Sequence, residues 1–316
     1  MHKQKENKIN KNKNKQILKI IVFLPILFII IKDYINNKNL KVCVCTLGRK
    51  ENLYIREFVS HYENYGVDKI FLYDNNLKDG ERFEEVIGDY IKKDFVELLD
   101  WRGRDQPIFP IMNDCYNKNK NKYDWFIFYE IDEFINIYKY KNVKDFLRQK
   151  RFKNCSVIQL NIINHSDNDK LYYENKTLHE RFPAIVPLKK SQISVKSILR
   201  GNISKLKIKW MHNINHKLRG CNGFGLPRKI YGNDFKYNVI DHYYSKSTEE
   251  FIQKIMRGDA WRNTFDYIQH RTEKYLNQNH ITLEKIETLE KGIGINLSKY
   301  KKYITKSIRR RRNIRN

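Results

Sequence analysis

Between Lys41 and Ile131 short apolar runs alternate with helix-patterned segments, and this alternation restricts the fold more than any other feature of the chain. Lys41-Val42-Cys43-Val44-Cys45-Thr46 has the β-branched and small residues of a strand. Glu51 to Tyr65 follows with Ile55, Phe58, Val59 and Tyr62 on one helix face, and Gly66 suits its C-terminus. A second strand, Lys69–Tyr73, ends in Asp74-Asn75-Asn76. A helix over about Arg82–Lys92, a strand over Phe95–Leu99, a helix over Pro107–Lys120 and a fourth strand over Trp125–Ile131 complete the series. Strands this apolar are buried on both faces, the property of a mostly parallel α/β sheet covered by its own crossover helices. Ligands of such sheets bind beyond the C-terminal ends of the strands, so Thr46, Asp74 and the residues after Ile131 share one rim. The chain has no G-x-G-x-x-G after the first strand and no G-x-x-x-x-G-K-S/T loop, which excludes the two glycine-rich ways of cradling phosphate.

The fourth strand runs into Glu130-Ile131-Asp132-Glu133-Phe134. On an extended chain Glu130 and Asp132 point to the same side, and like charges so placed repel unless a cation or a proton comes between them. Hard oxygen donors favour Mg2+ or Mn2+, ions that bridge protein carboxylates to phosphate. A solvated strand end with surface acids has the same pattern; the buried character of Trp125-Phe126-Ile127-Phe128 just before it favours a site.

In their order and spacing, several segments make the chain resemble a nucleotide-sugar glycosyltransferase of the GT-A fold, within the family 2-like and family 92 group. They are Lys50 to Phe58, Gly66 to Ile70, Tyr73-Asp74-Asn75, Trp125 to Phe134 and His242-Tyr243-Tyr244-Ser245-Lys246-Ser247, and the resemblance spans about Val42 to Asp259. It implies a D-x-D motif that binds a divalent metal, Mn2+ or Mg2+, and the nucleotide diphosphate. Asp132 matches the second aspartate of the usual D-I-D-E-F, and Glu130 stands in place of the first, one methylene longer. Asp74 matches the position near the nucleoside, with Thr46 and Glu51 lining the same pocket. His242 is the candidate for the late histidine that ligates the metal, although a histidine hydrogen-bonded within a strand has the same sequence. The implied reaction moves a hexose from a nucleotide diphosphate sugar to a glycan acceptor hydroxyl with inversion, with uridine as carrier and galactose among the donors. Lys196-Ser197-Ile198 resembles a segment that these families place near the active site.

In the second half, Asn154–Ile163 and Val239–Tyr244 read as strands, and Ser247-Thr248-Glu249-Glu250 is a capping box that opens a helix to about Arg257. Lys246 and Arg257 flank that helix, where cations neutralise a leaving diphosphate or simply decorate helix ends. Three carboxylates, Asp259, Glu133 and Asp167, are candidates for the base that deprotonates an acceptor. His212 and His216 are spaced i, i+4 but lack a third ligand for zinc. Trp101, Trp210 and Trp261 are candidates for stacking on a sugar ring or for the core. Cys43 and Cys45 share a strand face and do not readily bridge each other; pairing with Cys155 or Cys221 stays open.

Residues 1–16 form a basic tail, and residues 17–35 an apolar run that Lys19 and Tyr34 extend toward membrane-spanning length. With the basic side first and no small-residue cleavage site after it, this is an uncleaved signal anchor. It makes a single-pass type II membrane protein with its body on the Golgi-lumenal or equivalent extracytoplasmic side. Sequons at Asn154, Asn164, Asn175, Asn202 and Asn296 fit that side. Residues 40–270 are the glycosyltransferase domain and 271–316 a basic helical or flexible tail. Lys and Arg number 62 against 36 Asp and Glu, but much of the excess sits at the two ends of a Lys-, Asn- and Ile-rich chain. No specific nucleic-acid partner is expected from such a distribution. The expected partners are a nucleotide-sugar donor, a glycan acceptor and the membrane. Two alternatives stay open: an inactive module binding glycan or nucleotide sugar on the same fold, and a basic polyanion-binding protein.

Overall fold

The computed structural model describes residues 40–104, 108–187, 194–209, 217–227 and 238–257, with isolated positions at 212, 214, 284, 287, 288 and 291. The chain divides into two units, Met1–Leu40 and Lys41–Asn316, and apart from Leu40 the described residues belong to the second. The alternation read from the sequence is realised as β1 (Val42–Gly48), α1 (Asn52–Asn64), β2 (Lys69–Asp74), α2 (Glu84–Lys92), β3 (Val96–Asp100), α3 (Ile108–Asn119) and β4 (Trp125–Ile127). Then come β5 (Glu133–Ile137), α4 (Val143–Leu147), a 3-10 turn at Lys150–Phe152, β6 (Val157–Asn164), α5 (Leu178–Arg181), β7 (Val195–Arg200), β8 (Gly220–Asn222), β9 (Asn238–His242) and α6 (Thr248–Met256).

These strands form one sheet in the order β3-β2-β1-β4-β7-β6-β9-β5, with β8 beside β6. β1 to β4 are mutually parallel, β7 runs antiparallel to both β4 and β6, β8 and β9 run parallel to β6, and β5 runs antiparallel to β9. The sheet is therefore mixed but mostly parallel, with β5 and β7 reversed. On one face Cys43, Cys45, Phe71, Tyr73 and Phe126 pack with Ile111, Met112, Cys115 and Tyr116 of α3. α1 packs against β5, with the Phe58 and Phe134 rings 6.1 Å apart and Tyr62 OH donating to Glu133 O at 2.9 Å. Gly66 follows α1 in the left-handed region (φ 77°) that ends helices most cheaply with glycine.

Three expectations need correction. The fourth strand stops at Ile127 rather than Ile131. Phe128 and Tyr129 are as buried as the strand, but they leave the ladder, so their apolarity reports burial and not pairing. Glu130 and Asp132 thus lie on a reversing turn rather than on one face of an extended strand. The third concerns the cysteines: Cys45 pairs with Cys115 of α3, and Cys155 pairs with Cys221, leaving Cys43 as a buried free thiol. Cys43 and Cys45 do share the face toward α3, and helix phase puts Cys115 in reach of Cys45.

Among the described residues no helix is long and apolar enough to cross a membrane. The run at 17–35, the tail at 1–16, Asp259, His216, Trp210, Trp261 and all but a few residues of 271–316 lie outside the described residues.

Two histidines give the fold an acid-sensitive component. His61 Nε2 lies 3.0 Å from Ile135 O and His212 Nδ1 2.9 Å from Val195 O, and burial pushes both imidazoles down to about 4. The folded-state values lie below the unfolded one, so their contribution is complete above 6.5 and is lost as pH falls toward 4. In urea melts, replacing both histidines by glutamine is expected to reduce the fall in unfolding free energy between pH 7 and pH 5 by about 2–4 kcal/mol relative to wild type, a comparison in which the opposite pH dependence of other buried acids cancels. A pH dependence unchanged in that variant contradicts this account of the two histidines.

Candidate functional site

The turn after β4 is closed from both ends: Glu133 N donates to Glu130 O (3.0 Å), and Glu130 N donates to the Glu133 carboxylate at Oε2 (3.0 Å). Gly48 at the end of β1 lets this turn approach, because a Cβ there would fall 2.5 Å from Phe83 and 2.6 Å from Ile131. The β5–β9 ladder pairs Glu133 with His242, and Tyr243 N donates to Asp132 O at 3.0 Å. Register therefore brings a histidine 110 positions away in the chain to the turn. One potential ligand atom from each of Glu130, Asp132 and His242 lies within 4.8 Å of the others, a group that could hold a metal ion.

Cations surround these acids. Lys196 extends from β7, two positions past Ile198, the last partner of β4. Its Nζ reaches Glu130 Oε2 and Glu133 Oε2, each at 2.9 Å, and its side chain is 0% exposed. Lys254 Nζ lies 2.6 Å from Asp132 Oδ2, and Lys246 Nζ 3.7 Å from the same oxygen and 3.8 Å from Glu51 Oε2. Arg257 Nη2 meets Glu51 Oε1 at 2.5 Å. Lys246 takes a left-handed backbone (φ 53°), an uncommon conformation for a side chain of its size, just before α6. The expected capping box forms there: Glu250 N donates to Ser247 Oγ (3.3 Å) and Ser247 N to Glu250 Oε2 (3.0 Å). Glu250 also accepts from Tyr54 OH (2.6 Å) and pairs with buried Arg181 (2.8 Å), which locks α6 to α1 and α5. Glu250, Lys254 and Arg257 are spaced i, i+4, i+7, so one face of α6 and the residue that follows it deliver two of the four site cations, Lys254 and Arg257.

Ionisation follows from these neighbours. Burial opposes charge on Asp132, but Lys254, Lys246 and His242 overcome it and hold the carboxyl well below the usual range. At Glu130 burial is likewise outweighed, chiefly by Lys196, and the carboxyl is held at about 2. Glu133 goes the other way: burial, supported by Glu130 and Asp132, pushes it up to about 8 against the pull of Lys196. Burial lowers the His242 imidazole despite Asp132 beside it, which keeps it neutral with a lone pair for a ligand. Burial also lowers Lys246, with Glu51 and Asp132 opposing.

The other residues singled out by sequence fall around this centre or elsewhere. Both Asp74 oxygens are taken, Oδ1 by Asn76 N (2.9 Å) and Nδ2 (2.8 Å), Oδ2 by Arg102 Nε (2.8 Å) and Nη2 (2.5 Å). Asp74 thus organises two rim loops. Thr46 is buried in β1 and its Oγ1 has no hydrogen-bond partner. Asp167 lies on the loop after β6, where its Oδ1 accepts from Asp169 N (3.1 Å). Trp101 packs edge-on against Tyr73, with the Arg104 guanidinium 4.3 Å from its ring. Lys254 belongs to no motif of the sequence, since a lysine in mid-helix carries no signal of the acid it meets. Its one signal was sharing a helix face with Arg257.

The model of glycosyltransferase family 92 matches residues 38–307. Curated relatives include glycosyltransferase family 92 proteins of Ricinus communis, 25% identical over 129 residues, and of Oryza sativa subsp. japonica, 30% identical over 115 residues. These matches cover 40% and 35% of this chain but only 22% and 19% of those proteins, so the chain spans about a fifth of their length. Among solved structures, S. aureus TarS (residues 1–349, in complex with UDP-GlcNAc) is 10% identical with a TM-score of 0.38, over 85% of this chain and 79% of that one.

Proposed function

The chain belongs to glycosyltransferase family 92, and from that premise we propose that it is a metal-dependent transferase of the GT-A fold. It moves a hexose from a nucleotide diphosphate sugar, with uridine as carrier, to a glycan hydroxyl with inversion. The observation that carries this reading is the convergence of Glu130, Asp132 and His242 within 4.8 Å beside Lys246, Lys254 and Arg257.

Two carboxylates and a neutral imidazole are a donor set suited to Mn2+ or Mg2+. Buried Glu133 Oε1, without a hydrogen-bond partner and 4.0 Å from His242 Nε2, adds an unsatisfied oxygen beside the same centre. The residues present therefore fit a divalent cation. A cation held by Glu130, Asp132 and His242 would supply compensation for the charge that develops on a departing diphosphate. Lys246 and Arg257 hold the phosphate side of the site, and Glu51 fixes both of them. Glu133, 0% exposed and committed to the turn and Lys196, keeps the carboxylate cluster in shape rather than meeting an acceptor. Asp167 and Asp259, the latter outside the described residues, remain the proposed acceptors of the hydroxyl proton.

The disulfides Cys45–Cys115 and Cys155–Cys221 support an oxidising, extracytoplasmic compartment for the body. The anchor at 17–35 would hold it there.

Purified full chain, offered a panel of nucleotide sugars and glycan acceptors with Mn2+ or Mg2+, is expected to transfer at least one sugar. EDTA should reduce turnover at least a hundredfold. Transfer unaffected by EDTA overturns the metal assignment, and absence of both transfer and nucleotide binding overturns the enzyme.

A further inference from the structure

Without any added ion, Asp132 already has a cation of its own. Lys254 Nζ stands 2.6 Å from Oδ2 and Lys246 Nζ 3.7 Å from the same oxygen, while Oδ1 faces His242 Nε2 at 3.6 Å. Among the described residues around the turn, the acids Glu51, Glu130, Asp132 and Glu133 do not outnumber the bases Lys196, Lys246, Lys254 and Arg257, whichever form Glu133 takes. A dication taken by Glu130, Asp132 and His242 must therefore meet an ammonium at contact distance in a cluster with no spare negative charge. A nucleoside diphosphate brings that charge.

The three lysines differ in freedom. Lys196 and Lys246 are 0% and 4% exposed, each wedged between acids, whereas Lys254 is 25% exposed at the end of a flexible four-carbon stem. Its remaining contacts, Tyr244 O at 3.4 Å and the Tyr244 ring at 4.7 Å, are weak enough to leave.

Resting on the metal-dependent reading above, we propose that Lys254 occupies Asp132 in place of the divalent cation, and that nucleoside diphosphate draws its ammonium away to the phosphate oxygens. Metal and nucleotide then bind cooperatively, each improving the affinity of the other by the same factor, and Lys254 is the coupling element. It is a positioning residue that acts through Asp132.

The test is Mn2+ binding to the full chain, followed by electron paramagnetic resonance of free Mn2+ with and without UDP. Wild type is expected to bind Mn2+ at least tenfold more tightly with UDP than without it. Lys254→Met should bind Mn2+ alone at least tenfold more tightly than wild type, and its enhancement by UDP should fall below threefold. Lys254→Arg keeps the charge and should keep the wild-type coupling. Lys254→Gln offers the same comparison with a polar side chain should the methionine variant fold poorly. If wild type binds Mn2+ and the neutral variants bind it no more tightly, this inference fails while the metal-dependent reading stands. If wild type takes up no Mn2+ with or without UDP, the metal-dependent reading fails and carries this one with it.

Discussion

Asp132→Asn is expected to lower transferase turnover by two to three orders of magnitude and to abolish Mn2+ binding, with circular dichroism and a thermal melt showing a folded chain. The amide keeps the shape of the side chain but removes the one carboxylate whose oxygens face His242 at 3.6 Å, Lys254 at 2.6 Å and Lys246 at 3.7 Å. Its charge is secure at any working pH, because the two lysines hold the acid well below its ordinary range despite burial. Loss of a preorganised group that stabilises charge in the transition state costs about a hundredfold to a thousandfold. On the proposed metal-dependent reading, losing a carboxylate ligand belongs at the upper end. Glu130→Gln should cost less, on the order of tenfold, because that side chain is 44% exposed and water can replace part of its contact. Steady-state kinetics of both variants decides the point. Turnover of Asp132→Asn within threefold of wild type would remove Asp132 from the chemistry.

The second large effect is on stability. Lys196→Met is expected to destabilise the fold by about 3–5 kcal/mol, the usual consequence of removing one partner from a buried ionic cluster. The ammonium is 0% exposed and bridges Glu130 and Glu133 at 2.9 Å each, so its loss leaves two carboxylates crowded beside Asp132. The pH dependence identifies the cause. Glu133 already titrates at about 8 against an unfolded value of 4.5, so its contribution is lost as pH rises through that window. Without Lys196 its pKa rises further, and the variant's deficit should grow between pH 6 and pH 9. Denaturant melts at the two pH values measure this, and Glu133→Gln in the Lys196→Met background should recover part of the loss. A deficit below about 1 kcal/mol at both pH values would show that Lys196 is not an electrostatic keystone.

The lysines of the site carry little signal in the sequence. Lys196 was noticed only as part of a resembling segment, because a single lysine in a strand says nothing about which acids lie across two ladders. Lys254 carries less signal still: a lysine in mid-helix does not say whether it faces solvent or a buried acid, and Glu250, four residues before it, is committed to Arg181 and Tyr54. Glu130 and Asp132 were legible from their motif and His242 only through the family resemblance, although the acids sit on a turn and not on a strand. Asp74 was legible as a rim residue but not as the anchor of Arg102, which comes from a loop 28 residues away.

What the sequence determined by itself was local. Periodicity of apolar residues set the strands and helices from β1 to β4, glycine at 66 marked the end of α1, and Ser247 with Glu250 started α6, because each depends on neighbours within a few positions. What only the tertiary structure decided was who meets whom: β7 and β5 reversed within the sheet, Cys45 bonded to Cys115, and four basic side chains closing on four acids. Those outcomes depend on ladder register and helix phase accumulated over tens of residues. A shift of one position in a strand turns a side chain to the opposite face, so charge balance at the turn exists only once the whole sheet is assembled.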